Sequence, residues 1–429
     1  EYMLGYGSEA LYDRYDAATS TWGTHANRQA PARLQQLYAE VKYRGVYLMA
    51  GMKSVKSGIV DDELSSGDVV RGVNARPIPG GSAGFVDFQN VPFTNGWLQI
   101  EGELTYGRFT DNKTKQNCEN FFNVEYTQDL CFSYKRCYLR SKPTQPLCVT
   151  AGVQNAGVFG GSTLFYRKGV PVISDYRGFK LIQLWNMFFP EHNNGEGNAI
   201  GNSLGSWDFK ARYRFNNGNT LSAYFQWFWE DGSGMAKRNG WDGLWGLQFN
   251  FAGFTPVKKI VVEYIDFTNQ AGPVHWAPSD SPGTTLDSMV GGADSYYNND
   301  RYGPYANYGM AIGTPFVLAP IYNTDGYWAF AHCRARGMHF AFIGDIMPTL
   351  GYTFKFSWQK AWGEGRIPQA KSLEDYSAGL KLAWKPAPAK VPGLDLNLNI
   401  AFDAGKLRGD NFGAMLTASY KGNFSFSKK

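Results

Sequence analysis

The chain is poor in charge. Only 18% of its 429 residues are Asp, Glu, Lys or Arg, against about a quarter in ordinary soluble domains. It has no stretch approaching the roughly 18 consecutive apolar residues that a membrane-spanning helix needs, and its mean hydropathy is negative. An α-helical membrane protein is thereby excluded. A membrane barrel is not, because its strands need only about 10 alternating residues. Histidine is scarce too: His25, His192, His275, His332 and His339 are scattered, with no HxH or HExxH spacing. No metal and no cofactor is expected. His332 and His339 read as the two sides of a tight turn. There is no GxSxG elbow and no Walker loop. The acidic pairs Asp61-Asp62 and Glu374-Asp375 read as solvated loop charge and not as a glycosidase pair, so an enzyme is not expected. The net charge of +5 is spread along the chain without a basic patch or tail, which argues against nucleic acid. No signal peptide is visible at Glu1, and cleavage on export would remove one.

What is present is turn chemistry and aromatics: 50 Gly, 26 Tyr, 30 Phe and 13 Trp. The segment from Trp207 to Glu230 shows how they are used. Trp207, Phe209, Ala211, Tyr213 and Phe215 alternate with Asp208, Lys210, Arg212 and Arg214. After the turn residues Asn216–Asn219, Leu221, Ala223, Phe225, Trp227 and Trp229 alternate again. Successive strand side chains point to opposite faces, so this is a hairpin with one apolar and one charged face. The same grammar recurs at Leu34–Lys53, Trp97–Thr110, Trp245–Phe251, Val257–Phe267, Tyr352–Trp358, Tyr376–Trp384, Leu394–Phe402 and Phe412–Phe426. Gly326–Arg336 and Gly337–Gly344 read as a further hairpin, and Gly178–Phe189 as a short helix ended by Pro190. Residues 270–306 read as a long polar loop. A single soluble layer would leave so much one-sided hydrophobicity exposed, and there is no blade-length repeat. The predicted fold is all-β: a transmembrane antiparallel β-barrel of about 16–18 strands, with the short helix and loops plugging the lumen. It is taken as one domain over 1–429, monomeric, with an ill-defined segment at 1–33 and a cysteine-bearing loop insertion at 111–148.

Five cysteines are present. Cys118, Cys131, Cys137 and Cys148 fall close together, which points to a disulfide-stapled surface loop in an oxidising compartment. Zinc is the rival reading, with no CxxC and no nearby histidine to support it.

Two groups of side chains are candidates for binding. Lys210, Arg212 and Arg214 form a row on one strand, and Arg334 and Arg336 a pair on another, all read as lumen-facing. They either attract anions or form a plugged lumen salt-bridged by carboxylates such as Asp208, Glu101 and Glu103. In the 270–306 loop, Trp276, Tyr296 and Tyr297 mix flat rings with amides and carboxylates. That mixture suits stacking on sugars or anchoring at a membrane interface.

The segment Leu64-Ser65-Ser66-Gly67 followed by Gly72–Pro79 (GVNARPIP) resembles the hallmark of the capsule assembly Wzi family. So do the flanks QQLYAEVKYRGVYLMAGMK and GWLQIEGELTYGRFTDN, and LGSWDF, WDGLWGLQ, the GP-x-x-W run at 272–276, YYNN, NYGMAIGTPF, PIYNTDGYWAF and GDNFGAML. The matches run in order from about residue 34 to 420. The resemblance implies a partly plugged outer-membrane barrel of about eighteen strands. It also implies a lectin-like, non-catalytic role in attaching or assembling capsular polysaccharide. Asn74 and Arg76 of the hallmark segment join Arg212, Arg214, Arg334, Arg336, Trp276, Tyr296 and Tyr297 as expected polysaccharide contacts. Expected partners are capsular or other surface polysaccharide, outer-membrane lipid and other envelope proteins. The alternatives are a porin or transporter for anionic solutes, and a structural barrel subunit of a larger outer-membrane complex.

Overall fold

The computed structural model describes residues 2–12, 32–115, 126–167, 170–176, 183–184, 201–230, 234–235, 237–272, 294–323, 327–365, 367–386 and 393–420. Its strands are β1 (Tyr2–Tyr12), β2 (Ala32–Tyr43), β3 (Val46–Met52), β4 (Gly80–Phe85), β5 (Gln89–Asn90), β6 (Leu98–Arg108), β7 (Tyr126–Gln128), β8 (Cys131–Ser141), β9 (Leu147–Phe159), β10 (Ser162–Arg167) and β11 (Val170–Tyr176). They continue with β12 (Gly201–Arg214), β13 (Thr220–Glu230), β14 (Gly243–Asn250), β15 (Lys259–Asp266), β16 (Ala306–Asn307), β17 (Met310–Ala311), β18 (Ala335–Met347), β19 (Leu350–Gly363), β20 (Pro368–Trp384), β21 (Leu394–Gly405) and β22 (Asn411–Tyr420).

Seventeen of these form one sheet in which sequence neighbours pair antiparallel, from β1 beside β2 round to β21 beside β22. β4 and β5 lie end to end against β6. β7, β10 and β11 make a small separate sheet, and β16 and β17 a two-residue ladder. One end of the wall carries short turns, and the segments 53–79 and 267–334 leave from the other. At the first turn, Arg44 (φ 49°) and Gly45 (φ 95°) are both left-handed. This is the two-residue geometry that matches the twist of a hairpin.

Burial is inverted relative to a soluble protein. Phe209, Tyr213, Leu221, Leu247, Val262, Phe340 and Phe356 are exposed on the outer face, while Gln154, Asp208, Gln226, Glu263 and His339 on the inner face are buried. A water-soluble sheet would have to cover the first set. A lipid-facing wall leaves it bare and keeps polar groups inside. The chain is a transmembrane β-barrel.

Three expectations change. The segment Gly326–Gly344 is not a hairpin, since β18 runs unbroken through Gly337 to pair with β19. Gly337 marks close approach and not a turn: a Cβ there would lie 1.9 Å from the Trp358 carbonyl and 2.6 Å from the Phe316 ring. His332 and His339 therefore do not flank a turn. Within the cysteine-bearing segment 111–148, residues 131–141 and 147–148 are wall strand. Cys131 and Cys137 sit on β8 and Cys148 on β9, all three as free thiols. Antiparallel register sets them apart, because Cys131 lies opposite Phe159 and Cys137 opposite Val153. Cys118 lies outside the described residues. So does most of the expected helix at 178–189, of which Gln183 and Leu184 are described and helical.

Candidate functional site

Two segments fill the described part of the lumen. The first, 53–79, contains the Leu64–Asp68 run (LSSGD). The wall meets it with acids and amides from alternate positions of its strands. Asp68 Oδ1 accepts from the Val70 and Arg71 backbone N–H groups at 2.8 and 3.0 Å and from Gln154 Nε2 at 2.9 Å. Its Oδ2 accepts from Gln226 Nε2 at 2.8 Å. Asp208 shares both amides and also accepts from Tyr138 Oη and, at 2.6 Å, Ser206 Oγ. Two buried carboxylates are thus bridged by two glutamines, and each is held by donors without a cation. Charged acceptors with several good donors are the buried polar groups that proteins tolerate. Glu263 on β15 accepts from Ser65 Oγ, Ser66 N, Ser66 Oγ and Tyr224 Oη.

Cations close the remaining contacts. Arg71 pairs with Glu103 at 2.7 Å and lies over the Tyr134 ring, 4.6 Å from its centroid. Arg136 pairs with Glu101 at 2.9 Å and donates to the Lys56 carbonyl. Lys259 pairs with Asp61. Burial pushes the Asp61 carboxyl up, but the Lys259 ammonium and the Leu64 and Glu63 N–H groups outweigh it and hold it below its ordinary value.

The second segment, 294–334, packs on the first. Tyr297 and Tyr305 donate to the carbonyls of Val69 and Val70. Thr314 donates to the Ser66 carbonyl, and Gly72 N to Ile312 O. Phe228, Phe267, Tyr296, Tyr297 and Phe330 form an aromatic cluster beneath it, with Phe228 in edge contact with both tyrosines. Tyr296 donates to Asp242 Oδ2 at 2.8 Å. Burial raises the Asp242 carboxyl to about 7, opposed by the Gln270 N–H, the Tyr296 hydroxyl and the Asn269 N–H.

The expected site residues fall into separate places. Tyr296 and Tyr297 are fully buried. They are packing groups with no ring face for a sugar, because their rings pack into the core at the described end of that segment, 294–306. Trp276 lies outside the described residues. Lys210 faces the lumen as expected, and its ammonium donates to the Ile59 carbonyl at 2.6 Å, so it holds the plug. Arg212 and Arg214 donate to the carbonyls of Pro143 and Thr144 in the β8–β9 turn, at the short-turn end. Arg336 is not lumen-facing. On β18 the buried inward residues are Ala335, Gly337, His339 and Ala341, and Arg336 shares the outward face with Met338 and Phe340. Arg334 is outward too, one step beyond Ala335.

Arg76 lies at the long-loop end, where Tyr308 meets Thr110 and Asp111 just past β6. The Arg76 guanidinium sits over the Tyr308 ring, 4.6 Å from its centroid, and Asn307 Nδ2 donates to the Arg76 carbonyl at 2.7 Å. Tyr308 Oη donates to the Thr110 carbonyl at 2.8 Å, and its N–H to Asp111. Arg76 Nε is buried without an acceptor. The structure adds Tyr308 to the sequence-derived set. Its signal was present in NYGMAIGTPF, but its partner is more than two hundred residues away along the chain. Among the described residues no group of His, Cys, Asp and Glu could hold a metal ion.

A wall exposing apolar side chains around a lumen filled by its own polar segments defines the class: an integral β-barrel of the outer membrane. No protein-family model and no curated protein sequence matches the chain. Solved structures do. The chain is similar to Wzi of Escherichia coli, an outer-membrane protein involved in group 1 capsule assembly and a carbohydrate-binding β-barrel. The TM-score is 0.54 at 13% identity, covering 97% of this chain and 82% of that one. Weaker likeness extends to OccK3 (OpdO) of Pseudomonas aeruginosa, with TM-score 0.45, 12% identity and 91% and 79% coverage. It extends also to the outer-membrane protein OpdK of that organism, with 0.41, 12%, and 91% and 80%. The likeness to Wzi supports the barrel fold.

Proposed function

We propose that this barrel binds an acidic surface polysaccharide at its long-loop end, without chemistry, and helps hold that polymer on the cell. The carrying observation is the Arg76–Tyr308 pair. It sets a guanidinium on an aromatic ring at the long-loop end, two residues along the chain from Asn74. A sugar carboxylate suits a guanidinium, and amides and rings suit sugar hydroxyls and C–H faces. In barrels of this kind the long loops face outward from the cell, where such a polymer is met. The filled lumen supports the same reading. Segments 53–79 and 294–334 bond to the wall and to each other, which fits a binding barrel better than a solute path. The carbohydrate-binding character of Wzi supports it further.

The test is retention of purified acidic capsular polysaccharide by the full chain in detergent. Arg76→Ala and Tyr308→Ala should each weaken retention roughly tenfold, the scale of one good charge-assisted contact. Arg212→Ala, at the opposite end, should leave it unchanged. Undiminished retention by Arg76→Ala sinks the assignment of the mouth. A steady anion-selective conductance of the wild type in planar bilayers favours a porin instead.

A further inference from the structure

The outer face of the wall is ordered in rows, because residues opposite each other in an antiparallel ladder share a face. Across β15, β18, β19 and β20, one row is Ile260, Phe342, Phe354 and Leu380. The next rows toward the long-loop end are Val262, Phe340, Phe356 and Ala378, then Tyr264, Met338, Trp358 and Tyr376. The sequence of rows is hydrocarbon, then aromatic and amphipathic, which places the third row at a membrane interface. Immediately beyond it comes a charged row of Asp266, Arg336, Lys360 and Glu374. Thr268, Arg334 and Trp362 follow, with Trp362 N donating to Arg334 O at 2.8 Å.

Thr268, Arg334, Arg336 and Trp362 line a cleft of about 200 Å³. The charges around it are unevenly matched. Lys360 pairs with Glu374 at 2.7 Å. The Asp266 carboxylate is engaged by Tyr264 Oη at 2.6 Å and by the Thr268 N–H and hydroxyl. Arg334 donates through Nε to the Thr268 carbonyl at 2.9 Å, which leaves its two Nη groups for another acceptor. The Arg336 guanidinium lies over the Trp362 ring, 5.1 Å from the centroid. Neither arginine forms an ion pair with a carboxylate among the described residues. Two planar, permanently charged forks therefore converge on a cleft just above a lipid-facing belt. Guanidinium pairs of this kind match the oxygens of phosphate. The long-loop end is the outer leaflet side, and the anions that abound at this height on this face are lipid headgroups.

We propose that the outward cleft of Thr268, Arg334, Arg336 and Trp362 binds the phosphate-bearing headgroup of an outer-leaflet lipid. The arginines grip the phosphate, and the rows below receive the acyl chains. This site stands apart from the polysaccharide mouth and does not depend on it.

The experiment uses the full chain in detergent micelles and counts bound lipid by native mass spectrometry. The probes are diphosphoryl lipid A, its dephosphorylated form, inorganic phosphate, and a glucuronate oligosaccharide. The wild type should retain diphosphoryl lipid A at least about tenfold more tightly than dephosphorylated lipid A. The double variant Arg334→Ala/Arg336→Ala should lose that preference. Arg334→Lys/Arg336→Lys, which keeps charge and fold but not the fork, should fall between. Arg76→Ala should bind lipid as the wild type does, so failure of the sugar reading and of this one are separable. Equal retention of both lipids by the wild type overturns the proposal. So does loss of bound lipid A to millimolar inorganic phosphate, which marks a free-anion site. Preferential uptake of the glucuronate oligosaccharide, abolished by the double alanine variant, overturns it as well.

Discussion

The two faces of β15, β18 and β19 make opposite use of charge. Inside, Glu263 has four donors from Ser65, Ser66 and Tyr224, and His339 meets Ser357 and the Leu64 carbonyl through its two ring nitrogens. Outside, three and five residues before His339 along the chain, Arg336 and Arg334 have no carboxylate partner among the described residues. An unpaired polar group in the interior costs about 1–3 kcal/mol, and Glu263 and His339 are matched within the chain, although Gln359 Nε2 on the same inner face has no partner. The rim is under no such pressure, because water, headgroups or polymer can complete it. A charge matched by the chain holds structure, and one left unmatched at the rim is available to a ligand. Lys210, Arg212 and Arg214 each grip a carbonyl of the chain and belong with the structure, while Arg76, Arg336 and the Nη groups of Arg334 stand at the long-loop end, where a ligand can meet them.

The comparison can be broken first at the aromatic floor of the plug. Phe228→Ala removes a buried ring that touches Phe267, Tyr296 and Tyr297. It should cost about 3–5 kcal/mol, read as a lowered urea midpoint in detergent. No shift would mean that the second segment is not docked there. Next, Glu263→Ala orphans the Ser66 N–H and should cost about 1–3 kcal/mol. It should also raise the frequency of brief openings in planar bilayers above that of the wild type. Silent bilayers for the variant would show that the remaining bonds suffice to seat the plug.

A smaller effect is expected from pH. Burial lifts the Asp242 carboxyl from its ordinary 3.8 to about 7. The folded chain then keeps a proton that the unfolded chain has lost, so this contribution to stability is full below pH 3.8 and fades as pH rises toward 7. Amide-exchange protection of Asn269 and Gln270, corrected for intrinsic rates, should therefore be higher at pH 4.5 than at pH 7.5. The reverse order would contradict the assignment of the proton. Smallest of all, Arg214→Ala should leave the melting temperature and polysaccharide retention unchanged, since it grips only the Thr144 carbonyl at an exposed turn. A clear loss of retention would move the binding surface to the short-turn end.

Much of the fold is legible in the sequence because a strand's period is two. Trp207 to Phe215 and Leu221 to Trp229 name their two faces by alternation alone, and the register Phe209 opposite Phe225 agrees. The binding residues are less legible. Tyr296 and Tyr297 read as loop because their neighbours are Asn and Asp. They are core because those polar neighbours find acceptors and donors, as Asn298 does with Phe330. The cysteines read as a cluster because proximity in sequence is not proximity across a ladder.

By itself, the sequence determined that this chain is a wall of two-faced strands suited to lipid, since alternation follows from backbone geometry alone. Only the tertiary structure decided which cations are spent on the chain's own carbonyls and carboxylates and which are left for a ligand. That depends on register between strands and on segments returning across hundreds of residues, as Arg76 meets Tyr308 and Ser66 meets Glu263. No local pattern encodes those distances.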